Sequence, residues 1–298
     1  MLSRLRSFTK FLLKWFLITA LSLLILLMLC IEGFDRYLAT ERGIRWMFSE
    51  VQAGHFDVRY TPEGLRYLSL GDTQKPALLM IHGAPGSAID WLNFSSQSRI
   101  FKHYRLLLVD RPAYGGTQMR EPEPSILENA ALLQNIIQSE PDSTVTVLGH
   151  SYGAPIAMIL GALDSTKIKR IIASSGQYDP ENEIIFNISH MIKYPIFKYM
   201  MPYMFWVSNE EKMAHPKACR EALPYYSRVK AKVDLIHGNA DGLVLYENAS
   251  FIQALLTTKN QLITLKGFGH FLPGVAVDFL VDFTISDQTT PPQKTIKQ

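Results

Sequence analysis

The stretch Gly149-His150-Ser151-Tyr152-Gly153 follows the apolar run TVTVLG (144–149) and precedes a helical pattern at 152–163. A G-x-S-x-G sequence between a strand and a helix is typical of a nucleophile elbow. The serine sits there on a strained turn that projects its hydroxyl from the top of the sheet, and the flanking glycines leave room for that turn. Ser151 is therefore the predicted nucleophile.

A serine hydroxyl needs a general base within hydrogen-bond reach and a third group that orients the base. On a fold that carries such an elbow, the chain order is serine, then acid, then histidine. Asp241 lies just past the strand candidate KVDLIHG (232–238), and His270 lies just past the strand candidate QLITLKG (261–267). Both follow carboxyl ends of strands, where such sheets bind ligands. We predict His270 as the base and Asp241 as the acid, with Asp179 as the alternative acid.

A second turn, His82-Gly83-Ala84-Pro85-Gly86, follows the strand candidate ALLMIH (77–82). A rigid Gly/Pro turn can hold the backbone N–H of Ala84 toward the same point as the N–H of Tyr152. Two such donors stabilise the negative oxygen of a tetrahedral intermediate. Ala84 and Tyr152 are thus the predicted oxyanion hole, and His82 is expected to brace the turn.

Short apolar runs alternate with helical patterns along the rest of the chain. The later runs are continuous in Leu, Ile and Val, which is typical of strands covered on both faces of a parallel sheet. The first two strand candidates lack an intervening helix, which predicts an antiparallel hairpin at one edge. The expected fold class is α/β, with a doubly wound, mostly parallel, eight-stranded sheet. The predicted strands span 56–60, 65–70, 77–82, 104–110, 144–149, 168–174, 232–238 and 261–267, and the predicted helices lie near 87–98, 125–139, 152–163, 245–257 and 272–283.

An insertion at 177–227 separates the sixth and seventh strand candidates and is rich in Met and aromatic residues. We interpret it as a cap over the sheet, divided into short helical pieces by Pro195, Pro202 and Pro216. Its Met and aromatic side chains are interpreted in two ways. They line a pocket for an apolar acyl chain, or they pack the cap onto the sheet.

The run from Trp15 to Ile31 contains no charged residue. As a helix it covers roughly 25 Å, and its flanks bring it near the ~30 Å of a hydrocarbon core. We predict a transmembrane signal-anchor. A cleaved signal peptide is the alternative, but this run is longer than the usual apolar region and no small-x-small cleavage site follows it.

Basic residues precede this run, so the positive-inside rule predicts a cytoplasmic N-terminus and an extracytoplasmic domain, periplasmic if the host is bacterial. The expected divisions are a basic stub and anchor (1–33), an amphipathic connector (34–55), a catalytic domain (56–286) and a polar tail (287–298).

Composition narrows the classes of function. Hydrophobic residues make up 47% of the 298 residues and charged residues 19%, which excludes global disorder. The formal net charge is only +3, with several positive charges before the anchor, so no nucleic-acid partner is expected. Cys30 and Cys219 are not expected to form a disulfide. We expect no cofactor and no metal, and the oligomeric state stays open.

Five motifs extend the pattern around Ser151 to residues 56–284, and with them the chain resembles the α/β-hydrolase superfamily. The likeness is to its cap-bearing HG-x-P-G esterases, lipases and prolyl aminopeptidase-like enzymes. It implies an α/β-hydrolase sheet with a cap after the sixth strand, and a triad of Ser151, Asp241 and His270. Epoxide hydrolases and dehalogenases of this superfamily use a carboxylate nucleophile, so the serine disfavours those reactions. The motifs are HGAPG (82–86), DRPAYGGT (110–117), GHSYG (149–153), HGNADGLV (237–244) and GFGH (267–270).

The resemblance predicts hydrolysis of small-molecule carboxylic esters, hydrophobic or lipid-like, through an acyl-enzyme. A prolyl aminopeptidase-like peptidase or amidase is the second hypothesis. That group usually carries HGGPG, where this chain has Ala84, and acidic cap residues that hold a substrate amine. The third hypothesis is a non-catalytic, membrane-tethered binding protein on the same scaffold. The acidic cap residues here are Glu181, Glu183, Glu210 and Glu211.

Overall fold

The computed structural model describes residues 2–140 and 144–286, with side chains from residue 8 onward. The tail predicted at 287–298 lies outside the described residues. Within the described ranges, eight strands form one sheet in the order β1-β2-β4-β3-β5-β6-β7-β8. They are β1 (Phe56–Tyr60), β2 (Arg66–Leu70), β3 (Ala77–Ile81), β4 (Arg105–Val109), β5 (Val145–His150), β6 (Ile168–Ser174), β7 (Lys232–Gly238) and β8 (Asn260–Leu265).

The sheet is mostly parallel, as predicted. Strands β1 and β2 form the expected antiparallel hairpin at one edge, and β2 also pairs antiparallel with β4. Every other pairing, from β4 through β8, is parallel. The carboxyl ends of β3 to β8 therefore meet at one edge of the sheet, and loops that follow them come together.

Helices cover both faces of the sheet. They are α1 (Leu2–Ala39), α2 (Glu41–Met47), α3 (Leu92–Ser95), α4 (Ile126–Ser139), α5 (Gly153–Leu163), α6 (Ser189–Ile192), α7 (Tyr203–Tyr226), α8 (Glu247–Leu255), α9 (Leu272–Val275) and α10 (Val277–Ile285), with 3₁₀ turns at Ala88–Trp91, Ser98–Lys102 and Pro195–Tyr199. Successive residues of a strand point to opposite faces. In β3, Leu79 and Ile81 accordingly join a core beneath α4, α5, α7 and α8. Leu78 and Met80 join a second core beneath α2, α3, α9 and α10.

The insertion between β6 and β7 contains α6, a 3₁₀ turn and α7. Pro195 begins the 3₁₀ turn and Pro202 immediately precedes α7, so both divide the segment as predicted. The prediction for Pro216 was wrong, because α7 continues through Pro216 and Pro224. Proline removes one backbone donor and strains the preceding turn. We attribute the continuity of α7 to its buried face, which packs on the core of α4 and α5.

Many of the large apolar residues of the cap are exposed to solvent in this structure. Packing of the cap onto the sheet does not account for these side chains, because they are exposed. They are Phe186, Ile188, Met191, Tyr194, Ile196, Tyr199, Met200 and Phe205.

Helix α1 is long and apolar enough from Phe8 to Ala39 to cross a membrane, by length and composition. Its most apolar window is not buried against the rest of the protein. Its last turns contact the folded domain. The Glu32 carboxylate accepts the backbone N–H of Tyr203 at 2.8 Å, and the carbonyls of Leu38 and Ala39 accept from the Arg66 guanidinium.

Candidate active site

Ser151 occupies the tight turn between β5 and α5. Its φ of +52° places a non-glycine residue in the left-handed region, a strained conformation that persists only where the surroundings enforce it. The flanking glycines explain why the turn can form. A Cβ at Gly149 would overlap the backbone of Gly153, and a Cβ at Gly153 would overlap the carbonyl oxygen of Ile81. Glycine is therefore required at both positions of the predicted elbow.

The structure brings together the three side chains that the sequence predicts as a triad. The His270 Nε2 lies 2.9 Å from the Ser151 Oγ. The His270 Nδ1 lies 2.8 Å from the Asp241 Oδ2. With a proton on Nδ1, His270 donates to Asp241 and accepts from the serine hydroxyl. This is the arrangement in which an imidazole can take the serine proton.

Asp241 is fixed from several sides. Its Oδ1 accepts the backbone N–H groups of Leu243 and Val244, each at 2.9 Å, and its Oδ2 lies 3.3 Å from the Nε2 of His237. Burial favours the neutral acid, but hydrogen bonds from His237, His270 and the Val244 amide hold the pKa of Asp241 well below its usual range. Asp241 is thus an ionised acceptor facing His270. Sequence reasoning assigned no role to His237, although it stands four residues before Asp241 in the motif HGNADGLV.

The alternative acid, Asp179, lies elsewhere. Its carboxylate accepts the N–H of Glu181 at 2.9 Å and the side-chain amide of Asn182 at 2.6 Å. Its own backbone N–H donates to Asn248. Asp179 therefore stabilises the start of the cap, and Asp241 is the carboxylate that contacts His270.

The turn after β3 approaches the elbow closely. A Cβ at Gly83 would lie 3.0 Å from the Ser151 Cβ, so only glycine permits this approach without movement. Tyr152 directly precedes α5, and its N–H lies in the first turn, where a helix offers no acceptor. Ala84 follows Gly83 in the same turn. Ala84 and Tyr152 stay the predicted oxyanion donors, positioned on the two segments that meet at Ser151.

His82 braces this turn. Its Nε2 accepts the backbone N–H of Arg111 at 3.0 Å, so Nδ1 carries the proton and donates to the Gly83 carbonyl at 2.7 Å. Burial, together with the positive charge of Arg111, holds the pKa of His82 well below its usual value. His82 is therefore neutral, and both of its ring nitrogens are occupied by structural hydrogen bonds.

A buried ion pair connects the turn at Gly83 to the cap. The Arg111 guanidinium contacts both carboxylate oxygens of Glu211 on α7, at 2.6 and 3.1 Å, and also donates to the Gly83 carbonyl at 2.8 Å. The Tyr114 hydroxyl donates to Glu211 at 2.8 Å. Burial favours the neutral guanidine, yet Glu211 keeps the pKa of Arg111 above its ordinary value. The position of the turn at Gly83, which carries the predicted oxyanion donor Ala84, therefore depends on a carboxylate of the cap.

Replacement of Glu211 by alanine is expected to lower the free energy of unfolding by about 3–5 kcal/mol, because it leaves the Arg111 charge buried without its partner. Glu221→Ala, on the same helix, is the matched control. Glu221 forms an exposed pair with Lys217, and its loss should change stability by less than about 0.5 kcal/mol. Denaturant unfolding of both variants measures the difference. Equal effects would show that the Arg111–Glu211 pair contributes no more than a surface pair.

A second cap contact reaches the elbow itself. The ring of His215 stacks on the ring of Tyr152 at 4.7 Å, and its Nδ1 lies 2.8 Å from the Glu183 carboxylate. Burial lowers the pKa of His215, but Cys219 and Glu183 outweigh burial and raise it above the ordinary value. His215 is thus a charged residue that joins two parts of the cap directly behind the predicted oxyanion donor.

This contact predicts a pH-dependent stability. Because the folded-state pKa of His215 is raised, its contribution is fully present below the unfolded pKa, near 6.5, and is lost as the pH rises through the folded value. The Tm difference between wild type and His215→Phe should therefore narrow between pH 6 and pH 10. His103→Phe, at an exposed histidine, should show a constant difference. If the Tm difference between wild type and His215→Phe also stayed constant with pH, that result would contradict a charged His215.

Comparison with known proteins agrees with the fold. A profile of the α/β hydrolase fold matches residues 76–205. The sheet order, the cap position and this match together decide the fold. The chain has the α/β-hydrolase fold. A putative lipase from Acinetobacter baumannii is similar in structure, with a TM-score of 0.62 and 16% identity, over 81% of this chain and 94% of the lipase. A membrane phospholipase A, described as a bacterial virulence factor, is also similar in structure. Its TM-score is 0.59 and its sequence identity 15%, over 93% of this chain and 98% of the phospholipase.

This α/β hydrolase also has sequence relatives. Epoxide hydrolase 4 of Mus musculus is 28% identical over 123 residues, which is 40% of this chain and 33% of the relative. The chain thus matches about a third of the length of that curated relative. Among the described residues of this α/β hydrolase, no group of three His, Cys, Asp or Glu side chains is arranged to hold a metal ion.

Proposed function

We propose that this α/β hydrolase cleaves carboxylic esters, hydrophobic or lipid-like, through an acyl-enzyme on Ser151. The observation that carries the proposal is the continuous chain of contacts from the Ser151 Oγ through His270 to Asp241, at 2.9 and 2.8 Å. The alternative of a non-catalytic binding protein does not require this convergence of residues far apart in sequence.

The first half of the reaction follows from these contacts. The Ser151 Oγ attacks the ester carbonyl carbon while His270 Nε2 takes the hydroxyl proton. The negative charge on the carbonyl oxygen is stabilised by the N–H groups of Ala84 and Tyr152. Asp241 stabilises the imidazolium. When the intermediate collapses, the bond to the alcohol oxygen breaks, and His270 gives its proton to the departing alcohol.

The second half repeats these steps with water. A water molecule attacks the acyl carbon, and His270 takes one of its protons. The bond to the Ser151 Oγ then breaks, and His270 returns the proton to the serine. The carboxylic acid leaves, and the enzyme is restored.

The epoxide hydrolase relatives suggest a different reaction, the hydrolysis of an epoxide. Epoxide hydrolases of this superfamily attack the substrate with a carboxylate, and the carboxylate oxygen is what forms their covalent intermediate. This chain has Ser151 at the elbow, so we propose ester hydrolysis. The similarity to those relatives covers 123 residues and is compatible with a shared scaffold that carries another nucleophile.

The peptidase alternative needs acidic cap residues that are free to hold a substrate amine. Three of the four candidates have cationic partners in the protein. Glu211 contacts Arg111, Glu183 contacts Lys212 and His215, and Glu181 contacts Arg220 at 2.8 Å. These pairs favour the esterase hypothesis over the aminopeptidase hypothesis.

We further propose that α1 anchors the protein as a single-pass span, with a cytoplasmic N-terminus and an extracytoplasmic domain. The apolar, unburied window of α1 supports this proposal, and the basic residues before it support the orientation. Carbonate extraction of membranes, followed by protease accessibility from each side, tests both parts.

A substrate panel tests the reaction class. We expect hydrolysis of p-nitrophenyl esters with a preference for longer acyl chains, and no release from aminoacyl anilides. Hydrolysis of the anilides alone would replace the esterase proposal by the peptidase one. No turnover of any substrate, together with no labelling by a fluorophosphonate, would favour the binding protein.

A further inference from the structure

A large cavity lies between helix α1 and the cap, away from the triad. Its volume is about 950 Å³, at the upper end of the range typical of small-molecule sites. No triad residue lines it. The walls come from the last turns of α1, from the loop after β4, and from the segment that joins the 3₁₀ turn of the cap to α7.

One part of the lining is apolar. From α1 it includes Ile25, Met28 and Leu29, which belong to the charge-free run of the proposed anchor. From the cap it includes Met200 and Met201. Methionine is flexible and suits variable apolar partners. The cavity thus continues the lipid-facing surface of α1 into the folded domain.

The other part of the lining is charged, with three basic and two acidic side chains: Arg36, Arg120, Lys198, Glu32 and Asp35. The Glu32 carboxylate is already engaged, by the Arg36 guanidinium at 2.6 Å and the Tyr203 N–H at 2.8 Å. Lys198 rests over the ring of Trp206 at 4.5 Å, and its nearest carboxylate, the exposed Glu121, is 4.0 Å away. Arg120 and Lys198 therefore give this end of the cavity a positive character.

We propose that this cavity binds a long-chain amphiphile with an anionic head group, taken from the bilayer. The acyl chain would lie along Ile25, Met28 and Leu29, with the head group near Arg120 and Lys198. Lipid tails are as apolar as these walls, so the chain gains little by leaving the bilayer. The two cations then determine which amphiphile is bound. This inference rests on the proposed membrane anchor and not on ester hydrolysis.

The test uses the full chain with Ser151→Ala, in phosphatidylcholine vesicles that contain a photoreactive long-chain fatty acid. This background cannot form an acyl-enzyme on Ser151. We expect crosslinks, mapped by mass spectrometry, on Met28, Leu29, Met200 or Met201. Oleate should compete for labelling. If inorganic phosphate competed and oleate did not, the cations would form a site for free phosphate, and the proposal would be overturned.

Two double variants decide the role of charge. Arg120→Ala with Lys198→Ala should reduce labelling by about tenfold, as expected for the loss of hydrogen bonds to a charged group. Arg228→Ala with Lys193→Ala also removes one arginine and one lysine, but neither of these residues lines the cavity. This control variant should be labelled to the same extent as the Ser151→Ala protein. Equal labelling of the two variants, or crosslinks confined to α1 residues outside the cavity, would overturn the proposal whether or not the wild-type protein hydrolyses esters.

Discussion

Replacement of Ser151 by alanine is expected to lower kcat/KM for ester hydrolysis by about 10⁵–10⁶, the scale seen when a triad nucleophile is removed. The serine oxygen forms the covalent bond in the first step, and alanine has no atom that can replace it. Fold and stability should be retained, because alanine is smaller and the elbow is set by Gly149 and Gly153. Steady-state kinetics with a p-nitrophenyl ester measures the change.

Ser175 offers a matched control for this variant. It is also a serine with positive φ, at +48°, and its hydroxyl is buried without a hydrogen-bond partner among the described residues. Ser175→Ala should therefore leave kcat/KM within a few-fold of wild type. A loss in Ser175→Ala that matches the loss in Ser151→Ala would mean that the assay reports damage to the fold and not the chemistry of Ser151.

The Asp241→Asn variant is expected to lose about 10⁴ in kcat, because an amide does not hold the imidazole in the required tautomer. In the wild type, ionised Asp241 requires the proton on His270 Nδ1, so Nε2 is free to accept from Ser151. An asparagine NH₂ facing Nδ1 favours the opposite tautomer, in which Nε2 carries the proton and cannot act as a base. KM should change little, because Asp241 does not touch the substrate.

Asp179→Asn serves as the comparison, since Asp179 stabilises the start of the cap and does not contact His270. It should keep kcat near the wild-type value. If Asp179→Asn lost activity by four orders of magnitude and Asp241→Asn did not, the acid of the triad would be assigned to the wrong residue.

The sequence predicted the parts of the site that depend on local order along the chain. Continuous apolar runs specified buried parallel strands, and Ser151, Asp241 and His270 each follow the carboxyl end of one. In a parallel sheet those ends share an edge, so convergence could be inferred without coordinates. The two glycines around Ser151 were informative for the same reason, because the turn tolerates no other side chain there.

The contacts that brace the site could not be read from the chain. Arg111 and Glu211 are one hundred residues apart, and no periodicity connects a loop after β4 with the middle of a cap helix. Whether His237 faces Asp241 or the protein core depends on how the loop after β7 folds back. Pro216 is the opposite case, in which a strong local signal misled. Proline disfavours a helix interior, but the packing of α7 overrides that preference.

The cap composition was the least decisive signal. A Met-rich and aromatic segment is compatible with a pocket, a core or a surface. The structure exposes many of these side chains, and Tyr199 and Met200 among them line the cavity beside α1. Exposed apolar residues of this kind mark contact sites when they are contiguous. The proximity of Tyr199 and Met200 to the apolar helix is a tertiary feature and had no counterpart in the sequence pattern.

The central claim is that His270, oriented by Asp241, makes the hydroxyl of Ser151 nucleophilic. Reaction with a fluorophosphonate, followed by mass spectrometry of the modified peptide, tests it most directly. We predict a single adduct on Ser151, and much slower modification when His270 is replaced by alanine. An adduct on another residue, or labelling that persists in Ser151→Ala, would contradict it.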